Sequence, residues 1–135
     1  MTEDDAPAPE TPVFSVTVSD AGNGRAVVTA SGELDIATAP QLVEAVAVLG
    51  PPATTAIAID LSALAFIDSS GINALRGAVR AARSRGVGAI VAAPSERVLR
   101  VLELVRIAEI IPLERSLEAA FKHLGADRLD GSTRG

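Results

Sequence analysis

The sequence predicts an α/β fold on a mixed β-sheet, an antiparallel hairpin followed by parallel strands, with about four helices. Three observations carry that expectation. Residues 14–31 hold two alternating apolar stretches on either side of the turn cluster Asp20-Ala21-Gly22-Asn23-Gly24. Short apolar runs bounded by breakers recur at 56–61 and 87–93. Segments with apolar residues at helical spacing lie between and after them.

Each element has its own signal. Phe14, Val16 and Val18 alternate as a strand does, and Ala26, Val28 and Ala30 share one face of the next strand. Thr38 is a candidate N-cap, with Pro40 in the first turn and Gln41 three residues on, a capping-box arrangement. Leu42, Val46 and Leu49 line that helix, and Gly50-Pro51-Pro52 ends it. Ala56 to Leu61, apolar apart from Asp60, fits a strand covered on both faces. Ile72, Leu75, Val79 and Ala82 mark a second helix closed by Gly86, and Val87 to Ala93 is a further strand. Pro94-Ser95 opens a third helix bearing Val98, Val101, Leu102 and Val105. Glu109-Ile110-Ile111 reads as a brief strand. A last helix carries Leu117, Ala120, Phe121 and Leu124, with Gly125 expected at its C′ position.

A chain of 135 residues fits one domain. Residues 1–12 carry acids, Ala and prolines without apolar periodicity and read as a disordered tail. The domain is expected over 13–125, with a flexible tail over 126–135. The core is built from Ala, Val, Leu and Ile, with no Trp or Tyr.

Composition narrows the function. The net charge of −5 opposes direct, non-specific nucleic-acid binding, which requires a positive field. The absence of Cys removes disulfides, thiolate metal sites and thiol catalysis, and a single histidine, His123, removes a multi-histidine metal site. No apolar run approaches the roughly 20 residues of a membrane helix. The acidic start Met1-Thr2-Glu3-Asp4-Asp5 lacks the basic segment of a signal peptide, so the cytoplasm is the expected location.

The informative segment is Ile59-Asp60-Leu61-Ser62-Ala63-Leu64-Ala65-Phe66-Ile67-Asp68-Ser69-Ser70-Gly71-Ile72. It runs from the central strand into the second helix. Asp68 and Ser69 can cap that helix, and Gly71 is read as permitting a tight turn. By itself the Asp-Ser-Ser-Gly stretch is also what an ordinary helix cap looks like. A phosphate on a serine here would meet a favourable helix dipole and add roughly −1.5 to −2 charges beside Asp68.

Two motifs carry a family resemblance: Ser31-Gly32-Glu33-Leu34-Asp35-Ile36-Ala37-Thr38-Ala39-Pro40-Gln41-Leu42, and Asp60-Leu61-Ser62 followed by Phe66-Ile67-Asp68-Ser69-Ser70-Gly71-Ile72. With their spacing and element order, residues 13–124 resemble the STAS domain family, and most closely the bacterial anti-sigma-factor antagonists. The resemblance implies a STAS-type mixed sheet and a role in partner switching. Ser70 would be the phosphorylation site, modified by an anti-sigma factor that is also a serine-threonine kinase of the histidine-kinase-like ATPase fold. A metal-dependent Ser/Thr phosphatase would reverse the modification. Partner contacts are expected at Asp35, Asp68, Ser69, Gly71, Ile72 and Arg76. The chain would be a monomeric substrate, with no cofactor and no catalytic residue of its own, and would act on sigma-factor-dependent transcription, as in a stress response. The alternative is a scaffold subunit of a larger stressosome-like or transporter-associated assembly.

Some residues depart from the family pattern or read two ways. Asn73 stands where relatives carry a small residue, Arg76 where they are often apolar, and Arg106 where Gly is common. Glu33, Asp35 and Asp60 also read as solvated charges or loop caps. Arg76, Arg80 and Arg83 fall on one helical face, either as a solvated stripe or as a surface that steers an acidic partner. A hydrolase triad of Ser70, Asp68 and His123 is not expected, because no Gly-x-Ser-x-Gly elbow exists and His123 sits on a distant helix. No Gly-x-x-x-x-Gly-Lys loop is present.

Overall fold

A computed structural model describes residues 13–134. The expected tail over 1–12 lies outside the described residues. Strands β1 (Ser15–Gly22) and β2 (Arg25–Leu34) form the hairpin, followed by α1 (Ala39–Ala47), β3 (Ala56–Ile67), α2 (Ser69–Ser84), β4 (Gly88–Ala92), α3 (Glu96–Leu104), a 3-10 turn (Ile107–Glu109), β5 (Leu113–Glu114) and α4 (Leu117–Arg134). The sheet order is β1-β2-β3-β4-β5. The β1–β2 pair is antiparallel and the remaining pairs are parallel. This is the mixed sheet with four helices that the sequence predicts.

The hairpin turn follows from two residues. Asn23 and Gly24 both have positive φ, at 57° and 77°. Positive φ at both central positions matches the right-handed twist of the flanking strands, and Asn-Gly tolerates it best. The Gly24 carbonyl then accepts the amides of Thr55 and Ala56 at 2.7 and 3.1 Å, which ties the turn to the start of β3.

The sheet is covered on both faces. Val28, Ala30, Ile57, Ile59, Leu61, Ala89 and Val91 point to one side and pack under α1, α2 and α3. Ala56, Ala58, Ile90 and Ala92 alternate to the other side and meet Ala120 and Leu124 of α4. Small residues on that second face let α4 lie close: a Cβ on Gly88 would stand 3.2 Å from the Leu124 side chain. Each fully buried Leu, Ile or Val contributes about 1.5–3 kcal/mol, so a core without large aromatics still holds the domain. The Arg25 guanidinium lies 5.2 Å from the centre of the Phe121 ring and joins the hairpin to α4. Among the described residues no helix is long and apolar enough to cross a membrane.

Four local expectations are corrected. β3 does not stop at Leu61. Its pairing with β2 shifts twice, and the Asp60 carboxylate accepts the Ser62 amide at 2.9 Å, so the strand bulges and continues to Ile67. The brief strand is Leu113–Glu114 rather than Glu109-Ile110-Ile111, because Ile107 and Ile111 are both buried, and a strand would bury Glu109 on the same face whereas the helical turn leaves it exposed. α4 runs past Gly125 to Arg134, so this glycine lies within the helix and does not end it. Thr38 precedes α1, but its side chain makes no cap. Its hydroxyl donates to the Glu33 carbonyl at 2.8 Å and accepts the Asp35 amide at 3.0 Å, which spends it on the preceding turn.

Arg106 adopts the left-handed conformation, φ 54° and ψ 47°, between α3 and the 3-10 turn. An L side chain there costs about 1–2 kcal/mol, and glycine returns part of that gain as chain entropy. The Arg106–Glu109 pair, 3.6 Å apart and largely exposed, offsets little. Arg106→Gly is therefore expected to stabilise the fold by about 0.5–1 kcal/mol. Urea unfolding should show a higher midpoint at unchanged slope; a lower midpoint would refute the strain.

Candidate functional site

The site lies where β2 and β3 end and α2 begins. Asp68 leaves β3 in an extended conformation, and its carboxylate accepts the Gly71 amide at 3.0 Å. That bond satisfies one of the orphan donors of the first helical turn. The Asp68 amide donates to the Leu34 carbonyl at 3.3 Å, so the end of β2 also fixes the entry to α2.

Gly71 is required for a reason other than the expected tight turn. It sits inside α2 without positive φ and is buried. A Cβ there would stand 2.6 Å from the Leu34 carbonyl oxygen and 2.7 Å from Ile67 Cγ1. Only a residue without a side chain lets the helix approach the strand ends this closely.

With Gly71, Ala74 and Leu75 facing inward, the neighbouring positions face out. Ser69 is exposed and Ser70 and Ile72 are half-buried. The Ser70 hydroxyl makes no hydrogen bond among the described residues. Ser70 lines an open, mainly apolar groove of about 500 Å³ with Asn73 and Ala74 on one wall and Ile36, Ala39, Pro40, Val43 and Glu44 on the other.

Asp35 begins the opposite wall. One of its carboxylate oxygens accepts the amides of Ala37 and Thr38 at 3.0 and 3.2 Å, and the turn it closes holds Ile36 outward, 78% exposed. Asp35 thus shapes the groove but does not line it. Arg76 also lies outside it. Its guanidinium contacts Asn73 Oδ1 at 3.4 Å and lines a second groove with Val79, Arg80, Arg83, Ile110 and Ile111. The structure brings Asp68, Ser69, Ser70, Gly71 and Ile72 together at one corner, with Asp35 behind the facing wall and Arg76 outside it, in the neighbouring groove.

Ile36, Pro40, Val43 and Glu44 were not singled out by the sequence. Ile36 carried a signal, since it is a large apolar residue in a turn, off the buried Leu42–Val46 face of α1.

His123 is on α4, over the opposite face of the sheet from α2, with Nδ1 at 3.0 Å from Glu114 Oε2. A Ser70–Asp68–His123 triad is not assembled. Among the described residues no group of three His, Asp or Glu is placed to hold a metal.

Comparison with known proteins gives a consistent set of relatives. The STAS domain family profile matches residues 17–120. The chain is 26% identical over 101 residues to an anti-sigma-B factor antagonist of Listeria monocytogenes, covering 75% of this chain and 89% of the relative. It is 44% identical over 62 residues to the anti-sigma-F factor antagonist RsfB of Mycobacterium tuberculosis, covering 46% of this chain and 50% of that one. The crystal structure of an anti-sigma factor antagonist from Mycobacterium paratuberculosis is similar at a TM-score of 0.65 and 30% identity, covering 82% of this chain and 93% of the other.

The packing at Gly71 yields a direct prediction. Gly71→Ala should destabilise the fold by about 1–3 kcal/mol through the forced contact with Leu34 and Ile67. Asp68→Ala, which only removes the cap, should cost about 1 kcal/mol. Equal unfolding midpoints for Gly71→Ala and the parent chain in urea would contradict the close approach.

Proposed function

The chain belongs to the STAS domain family, and from that premise we propose that it is an anti-sigma-factor antagonist switched by phosphorylation of Ser70. The unmodified chain binds an anti-sigma factor that is also a serine-threonine kinase, over the corner of Asp68, Ser69, Ser70 and Ile72 and the groove beside it. While bound there, the anti-sigma factor cannot hold its sigma factor. The relatives' names support the antagonist role. The observation that carries the switch is the Ser70 hydroxyl, uncommitted among the described residues, at the capped start of α2 beside an open groove.

The chemistry belongs to the partner. Ser70 Oγ attacks the γ-phosphorus of ATP as the bond to the ADP oxygen breaks, and the hydroxyl proton passes to a base on the kinase. Here the chain supplies position. Asp68 and Gly71 hold the first turn of α2 in place, and the half-buried Ser70 is presented to the groove from a rigid element. A phosphatase returns the hydroxyl by transferring the phosphoryl group to water.

Release follows from electrostatics. The phosphate brings roughly −1.5 to −2 charges to a surface that already carries Asp68, Asp35 and Glu44. A like-charge contact beneath a docked protein costs several kcal/mol. The partner that fitted the neutral hydroxyl leaves. The proposal places the chain in the cytoplasm as a monomer, with light scattering as the check against a scaffold assembly.

Incubation with the cognate kinase and Mg-ATP should add the mass of one phosphoryl group, and Ser70→Ala should abolish the gain while Ser69→Ala retains it. A gain that survives Ser70→Ala defeats the assignment. In calorimetry Ser70→Glu should weaken kinase binding at least about tenfold, which corresponds to about 1.4 kcal/mol. Unchanged affinity would defeat the repulsion mechanism.

A further inference from the structure

Arg76, Arg80 and Arg83 line a groove separate from that of Ser70, further along α2. With Val79, Ile110 and Ile111 they line a groove of about 150 Å³. Arg106 meets Glu109 at 3.6 Å and Arg115 meets Glu103 at 3.5 Å, while Arg97 and Arg100 stand on α3, outside this groove, without an ion pair among the described residues. Arg76, Arg80 and Arg83 have no carboxylate within ion-pair distance among the described residues. Among the described residues Arg76 Nε is buried with no acceptor, and the side chain's one hydrogen bond is the long one to Asn73. An unmet donor on a charged group costs more than one on a neutral group.

We propose that the groove between α2 and Ile110–Ile111 docks an acidic segment of a protein partner. An apolar side chain of that segment seats against Val79, Ile110 and Ile111, and its carboxylates pair with Arg76, Arg80 and Arg83. The volume argues for a side chain, since pockets for small-molecule ligands and cofactors run to about 300–1,000 Å³. The charge argues for carboxylates, because the patch is basic on a chain of net charge −5. That same net charge opposes nucleic acid. The docking depends only weakly on the state of Ser70, because Arg80 and Arg83 stand about 15 and 20 Å from it along the helix, beyond a screening length of about 8 Å at physiological salt, and only Arg76, at about 9 Å, lies near that length.

The probe is a fluorescent peptide with one Leu flanked on both sides by runs of Glu, titrated into the full chain and followed by anisotropy and NMR. Saturable binding is expected, with shifts at the arginine Nε–H groups and the Ile110 and Ile111 methyls. The exposed double variant Arg80→Glu/Arg83→Glu should bind about tenfold more weakly, with its fold checked by thermal melting. Ser70→Glu should change affinity by less than about twofold, so this result and the kinase experiment fail separately. No saturable binding, shifts outside the groove, or full affinity in the double variant would overturn the proposal. Equal binding of a peptide with Lys for Glu would also overturn it. So would a stronger response to phosphatidylserine vesicles or inorganic triphosphate, which would assign the arginines to lipid or phosphate.

Discussion

The contact between the Leu34 carbonyl and the first turn of α2 sets the geometry of the rest of the site. One oxygen accepts the Asp68 amide at 3.3 Å and leaves no room for a side chain at residue 71. It joins the last residue of β2 to the first turn after β3. The parallel pairing of β2 and β3 brings these ends side by side, with Leu34 opposite Ile67. Because the contact is made by backbone, Ser69 and Ser70 are aimed by the sheet and do not depend on the rotamers of their neighbours. The facing wall is fixed from the same strand, since Asp35 follows Leu34 and folds the chain back into α1 through its own carboxylate.

Much of the fold was legible in the sequence because its main signals are local. Asn23-Gly24 specifies its turn through backbone sterics alone, and the two-sided burial of β3 and β4 follows from short, almost wholly apolar runs. Most of the misreadings have a different cause, in contacts outside the window that was read. The capping pattern at Thr38 was sound as a pattern, yet the hydroxyl oxygen accepts from the Asp35 amide of the preceding turn instead of from α1. The extension of β3 past Leu61 depends on bulges that only the pairing with β2 makes worthwhile. Ile107 and Ile111 form a turn because both reach the core, which a window around Ile110 does not reveal.

The site divides along the same line. Asp68 as a cap, and the presentation of the serines after it, could be read from residue types and order. The apolar wall opposite Ser70 could not, because Ile36 and Val43 become neighbours of Ser70 only when α1 and α2 pack together. The spacing of Arg76, Arg80 and Arg83 placed them on one face, but it gave no hint that Ile110 and Ile111 complete a groove with them. For Gly71 the sequence pointed to the right residue for the wrong reason. Glycine is commonly read as a turn former, whereas here the constraint is the distance between a helix and a strand end.

On the proposed reading, the location of Ser70 separates two free energies that a switch must keep apart. A phosphate at an exposed helix N-terminus interacts with the dipole by about 0.3–1 kcal/mol, favourably and weakly. It touches none of the buried contacts that hold the fold, which lie on the inward side of α2. The same charge beneath a docked protein loses water and meets the carboxylates around the corner, at several kcal/mol. The modification is therefore nearly neutral for the chain alone and large for the complex. Had the acceptor been one residue later, at the position of Gly71, the charge would have fallen on the Leu34 contact and the switch would have acted by unfolding its own scaffold.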